Sequence, residues 1–142
     1  MIGKYPAKVD DKNRLFVPAK LRGELGQTFY VTIGVNSGFR CLTIYTAESW
    51  ANTCQRYDAL PLAQKSGATS LLFSFAAECD PDKQFRFTLT QSLMDYAGIT
   101  RDVVITGRSG QAEIWDAEQY QNFEKETLTP EKLLASLEAV GL

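Results

Sequence analysis

The 142-residue sequence contains no histidine and only three cysteines. Without histidine it has no Ser-His-Asp or Cys-His nucleophilic site, and it lacks the commonest general base and metal ligand. Cys41, Cys54 and Cys79 are widely spaced and form no CxxC pair, so neither a disulfide framework nor a thiolate metal site is indicated. We therefore expect no catalytic residues, no metal and no cofactor, and we do not expect an enzyme.

Long hydrophobic runs are also missing. No apolar stretch of signal-peptide length occurs near the N-terminus, and no segment approaches the roughly 20 apolar residues of a membrane span. Hydrophobic residues still make up 44% of the sequence, which is enough to build the core of a folded domain. These features predict a soluble, cytoplasmic protein with free thiols, no membrane partner and no evident small-molecule substrate.

The charge of the sequence is small in total but uneven in distribution. The formal net charge is −2, yet residues 1–22 hold six basic and two acidic residues, whereas residues 73–126 hold five basic and ten acidic residues. Such asymmetry indicates that one surface meets an anionic partner. Ordinary solvated surface charge would give the same counts, so both interpretations stay open at this point.

A sequence pattern occurs twice in the chain. "DDKNRLFVPAKLRGELG", which starts at Asp10, aligns with "DKQFRFTLTQSLMDYAG", which starts at Asp82, at a constant offset of 72. Each copy continues into a β-branched or aromatic run, "FYVTIG" at 29–34 and "DVVITG" at 102–107, and then into "IYTAESW" at 44–50 and "IWDAEQY" at 114–120. Agreement across three elements in the same order indicates a tandem repeat.

The repeat predicts the organisation of the chain. We expect a first repeat at 1–52, a helical linker at 53–72, a second repeat at 73–126 and a tail helix at 127–142. Where the linker meets the second repeat, "LLFSFAA" at 71–77 fits a helix and a buried strand equally well. Half-units of this size cannot each bury a complete core, so the two copies should pack together as one pseudo-symmetric body.

Local signals predict where several elements face and end. The alternation in "FRFTLT" at 85–90 predicts a strand with Phe85, Phe87 and Leu89 on one face and Arg86 on the other. By the repeat, Arg14 should likewise point away from the side that carries Leu15 and Val17. The remaining signals predict a helix that starts at Pro18, helix ends at Gly26 and Gly98, and helix N-caps at Thr46 and Asp116. They also predict a tail helix whose Leu133, Leu134 and Leu137 pack on the core, the favoured use, or on a neighbouring molecule.

The residues around Asp10 form a candidate binding hairpin. Lys12 and Arg14 lie two residues apart and should share a strand face, from which they could engage a phosphate and a base edge. Asp10 could accept hydrogen bonds from the guanidinium of Arg14 or from the amides of the turn, and so fix the direction of Arg14. A structural ion pair that merely brackets the turn is the alternative interpretation.

The spacing Asp-x-Lys-x-Arg, followed by an apolar strand and "PAKLR", resembles the MraZ family of bacterial transcriptional regulators, which are tandem relatives of the AbrB/SpoVT swapped-hairpin DNA-binding fold. "DKQFR" after "FAAEC", "ALPL" at 59–62 and "DYAGI" at 95–99 extend the resemblance from about residue 1 to about residue 126. The resemblance implies an α+β fold, mainly a β barrel, in which two AbrB-like swapped-hairpin half-units pack as one pseudo-two-fold body with flanking helices.

The resemblance also implies a function. It implies a DNA-binding, ring-like homo-oligomer, cytoplasmic and nucleoid-associated, that recognises short repeated promoter sites upstream of the division and cell-wall gene cluster. The implied DNA contacts are Lys12, Arg14 and Arg86, with further phosphate contacts from Lys4, Lys8, Lys20 and Lys83. Asp10, Asp82 and Asn13 would shape the two turns.

Four positions depart from the family pattern. Asn13 and Phe85 replace the glycine before each motif arginine, and Thr90 and Met94 stand where proline and arginine are usual. Asparagine tolerates a left-handed turn, whereas phenylalanine does so poorly, so the second hairpin is expected to be altered and the first to carry most of the binding. An oligomeric assembly protein on the same fold, with weakened or lost DNA binding, is the second functional hypothesis.

Overall fold

The computed structural model describes residues 1–142 as an α+β fold with eight strands and six α-helices. The strands are β1 Lys4–Lys8, β2 Arg14–Phe16, β3 Phe29–Asn36, β4 Phe39–Thr46, β5 Ala77–Cys79, β6 Arg86–Thr88, β7 Asp102–Arg108 and β8 Gln111–Asp116. The α-helices are α1 Arg22–Leu25, α2 Ala47–Asp58, α3 Ala68–Ser74, α4 Gln91–Ala97, α5 Ala117–Thr127 and α6 Pro130–Ala139, and short 3-10 helices occupy Ala19–Leu21 and Leu62–Lys65. None of the helices is both long enough and apolar enough to cross a lipid bilayer.

The two repeats exchange their strands. The main antiparallel sheet has the order β1-β7-β8-β4-β3-β5, and β2 pairs with β6 in a separate two-stranded sheet, here called the ribbon. The leading strand β1 of the first repeat therefore pairs with β7 of the second, and β5 of the second pairs with β3 of the first. This interlacing makes one body out of the two copies.

The predicted barrel is not found, because the six-stranded sheet does not close. Its two edges, β1 and β5, do not pair with each other. The hairpin strands β2 and β6 do not join this sheet and pair with one another in the ribbon instead. The edge strand β1 carries Pro6, which has no N–H to donate, and β5 has only three residues; both features limit further pairing.

The ribbon is attached to a core that both repeats supply. Leu15 and Phe87 lie opposite each other in the ribbon and are 0% and 4% exposed. The ring of Phe87 contacts the ring of Phe29 from β3 edge to face, with 5.1 Å between centroids. Since Phe29 is completely buried, this contact fixes the ribbon on the main sheet.

Several predicted helix boundaries are confirmed. Gly26 and Gly98 end α1 and α4 with φ values of 70° and 67°, a region that glycine adopts without a steric penalty. The side chains of Thr46 and Asp116 cap α2 and α5 by accepting the backbone N–H groups of Ser49 and Gln119, at 3.1 Å in both cases. Pro18 lies one residue before a 3-10 helix rather than inside an α-helix, so that prediction is off by one position.

The linker and the tail give two further outcomes. The segment "LLFSFAA" divides, since its first four residues end α3 and its last residue, Ala77, begins β5. The tail forms α6 with its N-cap at Thr129, but Leu133, Leu134 and Leu137 are 47%, 57% and 37% exposed. Their predicted core packing is wrong, because only two residues separate α5 from α6 and the tail remains beside α5, outside the core.

Truncation of the buried aromatic ring of the ribbon should destabilise the protein. We expect Phe87→Ala to lower the free energy of unfolding by about 3–5 kcal/mol, because it removes a buried aromatic side chain and leaves a cavity against Phe29. Phe16→Ala is the matched control on the same ribbon, since Phe16 is 56% exposed and its loss should change stability by about 0.5 kcal/mol or less. Urea unfolding followed by circular dichroism measures both, and equal losses would contradict the burial of Phe87.

Candidate nucleic-acid interface

The outer face of the ribbon carries one arginine from each repeat. In the antiparallel register Arg14 lies opposite Thr88, and Arg86 lies opposite Phe16. Residues that are opposite each other share a face, so these four side chains point away from the buried pair beneath them. The side chains of Arg14 and Arg86 are 26% and 25% exposed. The predicted outward direction of Arg14 is therefore confirmed.

The first hairpin tip is organised by the carboxylate of Asp10. Its Oδ1 accepts the backbone N–H groups of Lys12 at 2.9 Å and Arg14 at 2.8 Å, and its Oδ2 accepts Nε–H of Arg14 at 2.8 Å. The backbone N–H of Asn13 donates to the carbonyl of Asp10 at 3.1 Å, which closes the turn. One carboxylate thus shapes the backbone and holds the guanidinium at the same time.

The second hairpin tip has the same hydrogen bonds around Asp82. Its Oδ1 accepts the N–H groups of Gln84 and Arg86, and its Oδ2 accepts Nε–H of Arg86, all at 2.9 Å. The backbone N–H of Phe85 donates to the carbonyl of Asp82 at 2.9 Å. The offset of 72 that relates the two sequences therefore also relates the two networks atom by atom.

Within each guanidinium only the Nε–H is engaged by the aspartate. The terminal Nη groups of Arg14 and Arg86 make no hydrogen bond within the protein. A guanidinium held by one edge presents its other N–H groups in a fixed direction, which suits a bidentate contact with an acceptor pair. The structural ion pair considered from the sequence is present, and it leaves both arginines able to bind a ligand.

The hydrogen bonds keep both carboxylates ionised. At Asp10 partial burial opposes ionisation, but the backbone N–H and guanidinium of Arg14 and the N–H of Lys12 together lower the pKa. At Asp82 the backbone N–H of Arg86 is the main cause of the lowered pKa, and its guanidinium and the N–H of Gln84 add to it. Each aspartate therefore stays an acceptor throughout the physiological pH range.

The expected alteration of the second turn is not observed. Phe85 adopts φ 63°, close to the φ 59° of Asn13, so the phenylalanine takes up the left-handed conformation that the family's glycine would occupy. The guanidinium of Arg22 lies over the Phe85 ring, 3.9 Å from its centroid. The prediction was wrong because it considered the local preference of phenylalanine and not the tertiary contact.

The other two departures from the family pattern also have structural roles. Thr90 caps α4 by accepting the backbone N–H of Leu93 at 3.2 Å, so it starts the helix in place of a proline. Met94, at the position equivalent to Arg22, is 4% exposed and belongs to the core. Thr90 and Met94 therefore both stabilise the folded structure of the second repeat.

The predicted lysines fall into two groups. Lys12 and Lys83 are exposed at the two tips and Lys20 is exposed on the first 3-10 helix. Lys12 was predicted to share a strand face with Arg14. This prediction is wrong, because Lys12 lies in the turn and not in β2. Lys4 and Lys8 lie on β1, where Lys4 Nζ is 2.9 Å from Glu124 and Lys8 Nζ is 3.9 Å from Asp102. These acidic partners partly offset the positive charge of β1.

Two residues of the candidate interface were not predicted from the sequence. Phe16 is exposed beside Arg86 on the outer face, and Arg22 reaches the second tip from the first repeat. The alternation that placed Arg14 outward applies equally to Phe16, two residues further on, so a signal for Phe16 existed. No sequence signal indicates the contact between Arg22 and Phe85, because it depends on the exchange of strands.

None of the three cysteines belongs to the ribbon. Cys41 and Cys79 are buried, and burial raises the pKa of each to about 12, with the carboxylates of Glu113 and of Asp80, respectively, adding to the effect. Both groups are therefore neutral thiols near neutral pH, and neither is an activated nucleophile. Cys54 is partly exposed on α2.

Comparison with known proteins matches the whole chain to one family. A family model described as "MraZ protein, putative antitoxin-like" matches residues 1–71 and again residues 72–135. The chain is 34% identical to "Transcriptional regulator MraZ" of Clostridium botulinum over 143 residues, which covers 99% of both proteins. It is 37% identical to the protein of that name from Caldicellulosiruptor saccharolyticus, over 100% of the chain and 99% of the relative. The protein of that name from Lactiplantibacillus plantarum is 40% identical over 127 residues, 88% of both proteins. A family model that matches twice, and relatives that align from end to end, lead to one conclusion: the chain belongs to the MraZ family.

Proposed function

We propose that the chain is a sequence-specific DNA-binding transcription regulator that recognises short repeated promoter sites upstream of the division and cell-wall gene cluster. The observation that carries the proposal is the pair of arginines on the outer face of the ribbon, each held by an aspartate and each with its Nη groups free. The name "Transcriptional regulator MraZ" of the full-length relatives supports the same function.

The shape of the ribbon suits the major groove of DNA. A two-stranded β-ribbon fits this groove, where arginine can bind the O6 and N7 atoms of guanine together. Arg14 and Arg86 are diagonal neighbours in the ribbon, so their backbones are about 7–8 Å apart. That separation spans about two base-pair steps at 3.4 Å each. The two guanidinium groups would then contact bases that lie close together in one site.

The charges around the ribbon suit phosphate contacts on either side. Lys12 and Lys83 extend from the two tips, and Lys20 lies on the helix that follows β2. We assign phosphate contacts to these three lysines, and weaker ones to Lys4 and Lys8 because acidic side chains lie beside them. The rest of the chain can stay acidic, since only the ribbon approaches the duplex.

The proposed active form is a ring-like homo-oligomer, in the cytoplasm and associated with the nucleoid. One ribbon supplies two arginines and a few lysines, which alone would bind DNA weakly at physiological salt. Several ribbons in one assembly, meeting sites at a regular spacing, gain from effective concentration. Short repeated sites in the DNA would match the several ribbons of such an oligomer.

An assembly protein with lost DNA binding is the second candidate. The exposed leucines of α6 favour it, because they leave an apolar face uncovered. The altered second motif, which first suggested it, no longer does so, since the second tip keeps its complete network. This candidate predicts no salt-sensitive retardation of upstream DNA.

Removal of either ribbon arginine should weaken specific binding. We expect Arg14→Ala and Arg86→Ala each to lower the affinity for DNA from upstream of the chain's own gene by roughly 5-fold to 100-fold, because each loses a bidentate base contact. Mobility shift at two salt concentrations measures the effect. The control is Arg56→Ala on α2, an exposed arginine with no ion pair. If the ribbon variants fold and assemble but bind as the wild type does, the proposed site is wrong.

Binding should not change with pH between about 5.5 and 7. The chain has no histidine, and the pKa values of Asp10 and Asp82 lie below the ordinary aspartate value of about 3.9. Folding lowers these two pKa values, so the ionised aspartates stabilise the folded protein. This stabilisation is fully present above about pH 3.9, the unfolded value, and is lost only as the pH falls through the lower pKa values of the folded state. Fluorescence anisotropy at constant ionic strength checks this. An affinity that changes by more than about threefold in the stated window would contradict it.

A further inference from the structure

The two hairpin tips have the same backbone conformation but differ in the residue that adopts its left-handed position. Asn13 and Phe85 occupy equivalent positions with φ values of 59° and 63°. Asparagine visits this left-handed region readily, whereas a bulky residue such as phenylalanine remains there only when its surroundings impose it. The second tip therefore needs a support that the first tip does not.

Arg22 supplies a support of this kind. Its guanidinium lies 3.9 Å from the centroid of the Phe85 ring, and its Nε–H donates to the carbonyl of Val17 at 3.0 Å. The backbone N–H of Val17 in turn donates to the carbonyl of Phe85 at 2.8 Å. Arg22 thus holds the ring of Phe85. Val17, which orients Arg22, holds the carbonyl of Phe85.

The first tip shares the backbone hydrogen bond, since the N–H of Leu89 donates to the carbonyl of Asn13 at 2.8 Å, but it has no arginine equivalent to Arg22. The residue equivalent to Arg22 is Met94, which is buried in the core. Asn13 is instead met by Gln91, whose Oε1 accepts from the Asn13 side-chain amide at 3.4 Å. Within one chain, the arginine therefore occurs where the turn residue is unfavourable, and an apolar residue occurs where it is favourable.

We propose that Arg22 is a positioning residue for DNA recognition: it holds Phe85 in the left-handed turn so that Asp82 can orient Arg86. This inference rests on the proposed function of the ribbon. The chain of contacts is short, since Phe85 immediately precedes Arg86 and its N–H bonds to Asp82, whose carboxylate orients the guanidinium of Arg86. A direct phosphate contact by Arg22 is the competing role, and it requires no Phe85.

A double-mutant cycle distinguishes these roles. Arg22→Met introduces the residue type of the equivalent position, and Phe85→Gly makes the left-handed turn free of strain. We expect Arg22→Met alone to weaken binding to upstream DNA about threefold to tenfold, and to have less than about a twofold effect in the Phe85→Gly background. An equal loss in both backgrounds would overturn the positioning role and indicate a direct contact.

A second measurement needs no DNA. Hydrogen exchange of the Arg86 backbone amide should accelerate by about threefold or more in Arg22→Met and return to the wild-type rate when Phe85→Gly is added. The amide of Arg14 is the internal control, and its exchange should stay unchanged in all variants. Unchanged exchange at Arg86 in Arg22→Met would overturn the inference.

The two measurements also separate this inference from the proposed function. If the wild type binds no upstream DNA, the proposed function fails. The hydrogen-exchange rate of the Arg86 amide still decides whether Arg22 holds the turn. Should Arg22→Met not fold, Arg22→Lys keeps the charge but loses the planar stack and the Nε–H donor. The exchange rate at Arg86 should then lie above that of the wild type, and a wild-type rate would count against the inference.

Discussion

The pairing of β2 with β6 is the interaction on which the remainder of the molecule depends. Each strand has three residues, and a two-stranded ribbon of this length is not stable on its own. It persists because Leu15 and Phe87 are buried beneath it and because one further backbone hydrogen bond extends the pairing at each end, from Val17 to Phe85 and from Leu89 to Asn13. The strand exchange thus supports the conformation of both tips at once.

The acidic character of the chain is compatible with its basic ribbon. Asp10 and Asp82 lie beside the very arginines that are proposed to bind an anion, and at first sight they weaken that attraction. Their carboxylates also accept hydrogen bonds from the turn amides and from one edge of each guanidinium. They therefore lower the positive potential of the arginines but fix the direction of each guanidinium. Direction is what base recognition requires, whereas a diffuse positive charge would bind any phosphate backbone.

Local rules were sufficient for part of the structure. The outward direction of Arg14, the helix ends at Gly26 and Gly98 and the cap at Thr46 follow from residues a few positions apart, and all were predictable. The open sheet was not, because strand periodicity does not specify which edges pair. The conformation of Phe85 was not predictable either, because the side chain that holds it, that of Arg22, belongs to the other repeat. The exposed leucines of α6 were mistaken for core residues, because an amphipathic pattern shows which face is apolar and not what covers it.

The joining of both repeats in one chain has a consequence for how the protein can evolve. In a symmetric dimer of single repeats, any change at a hairpin would appear at both tips simultaneously. In this tandem chain the equivalent positions can differ, and they do so at three pairs: Asn13 and Phe85, Pro18 and Thr90, and Arg22 and Met94. A tandem chain can thus have two unlike halves while its backbone keeps an approximate two-fold relation, so the proposed DNA site need not be palindromic.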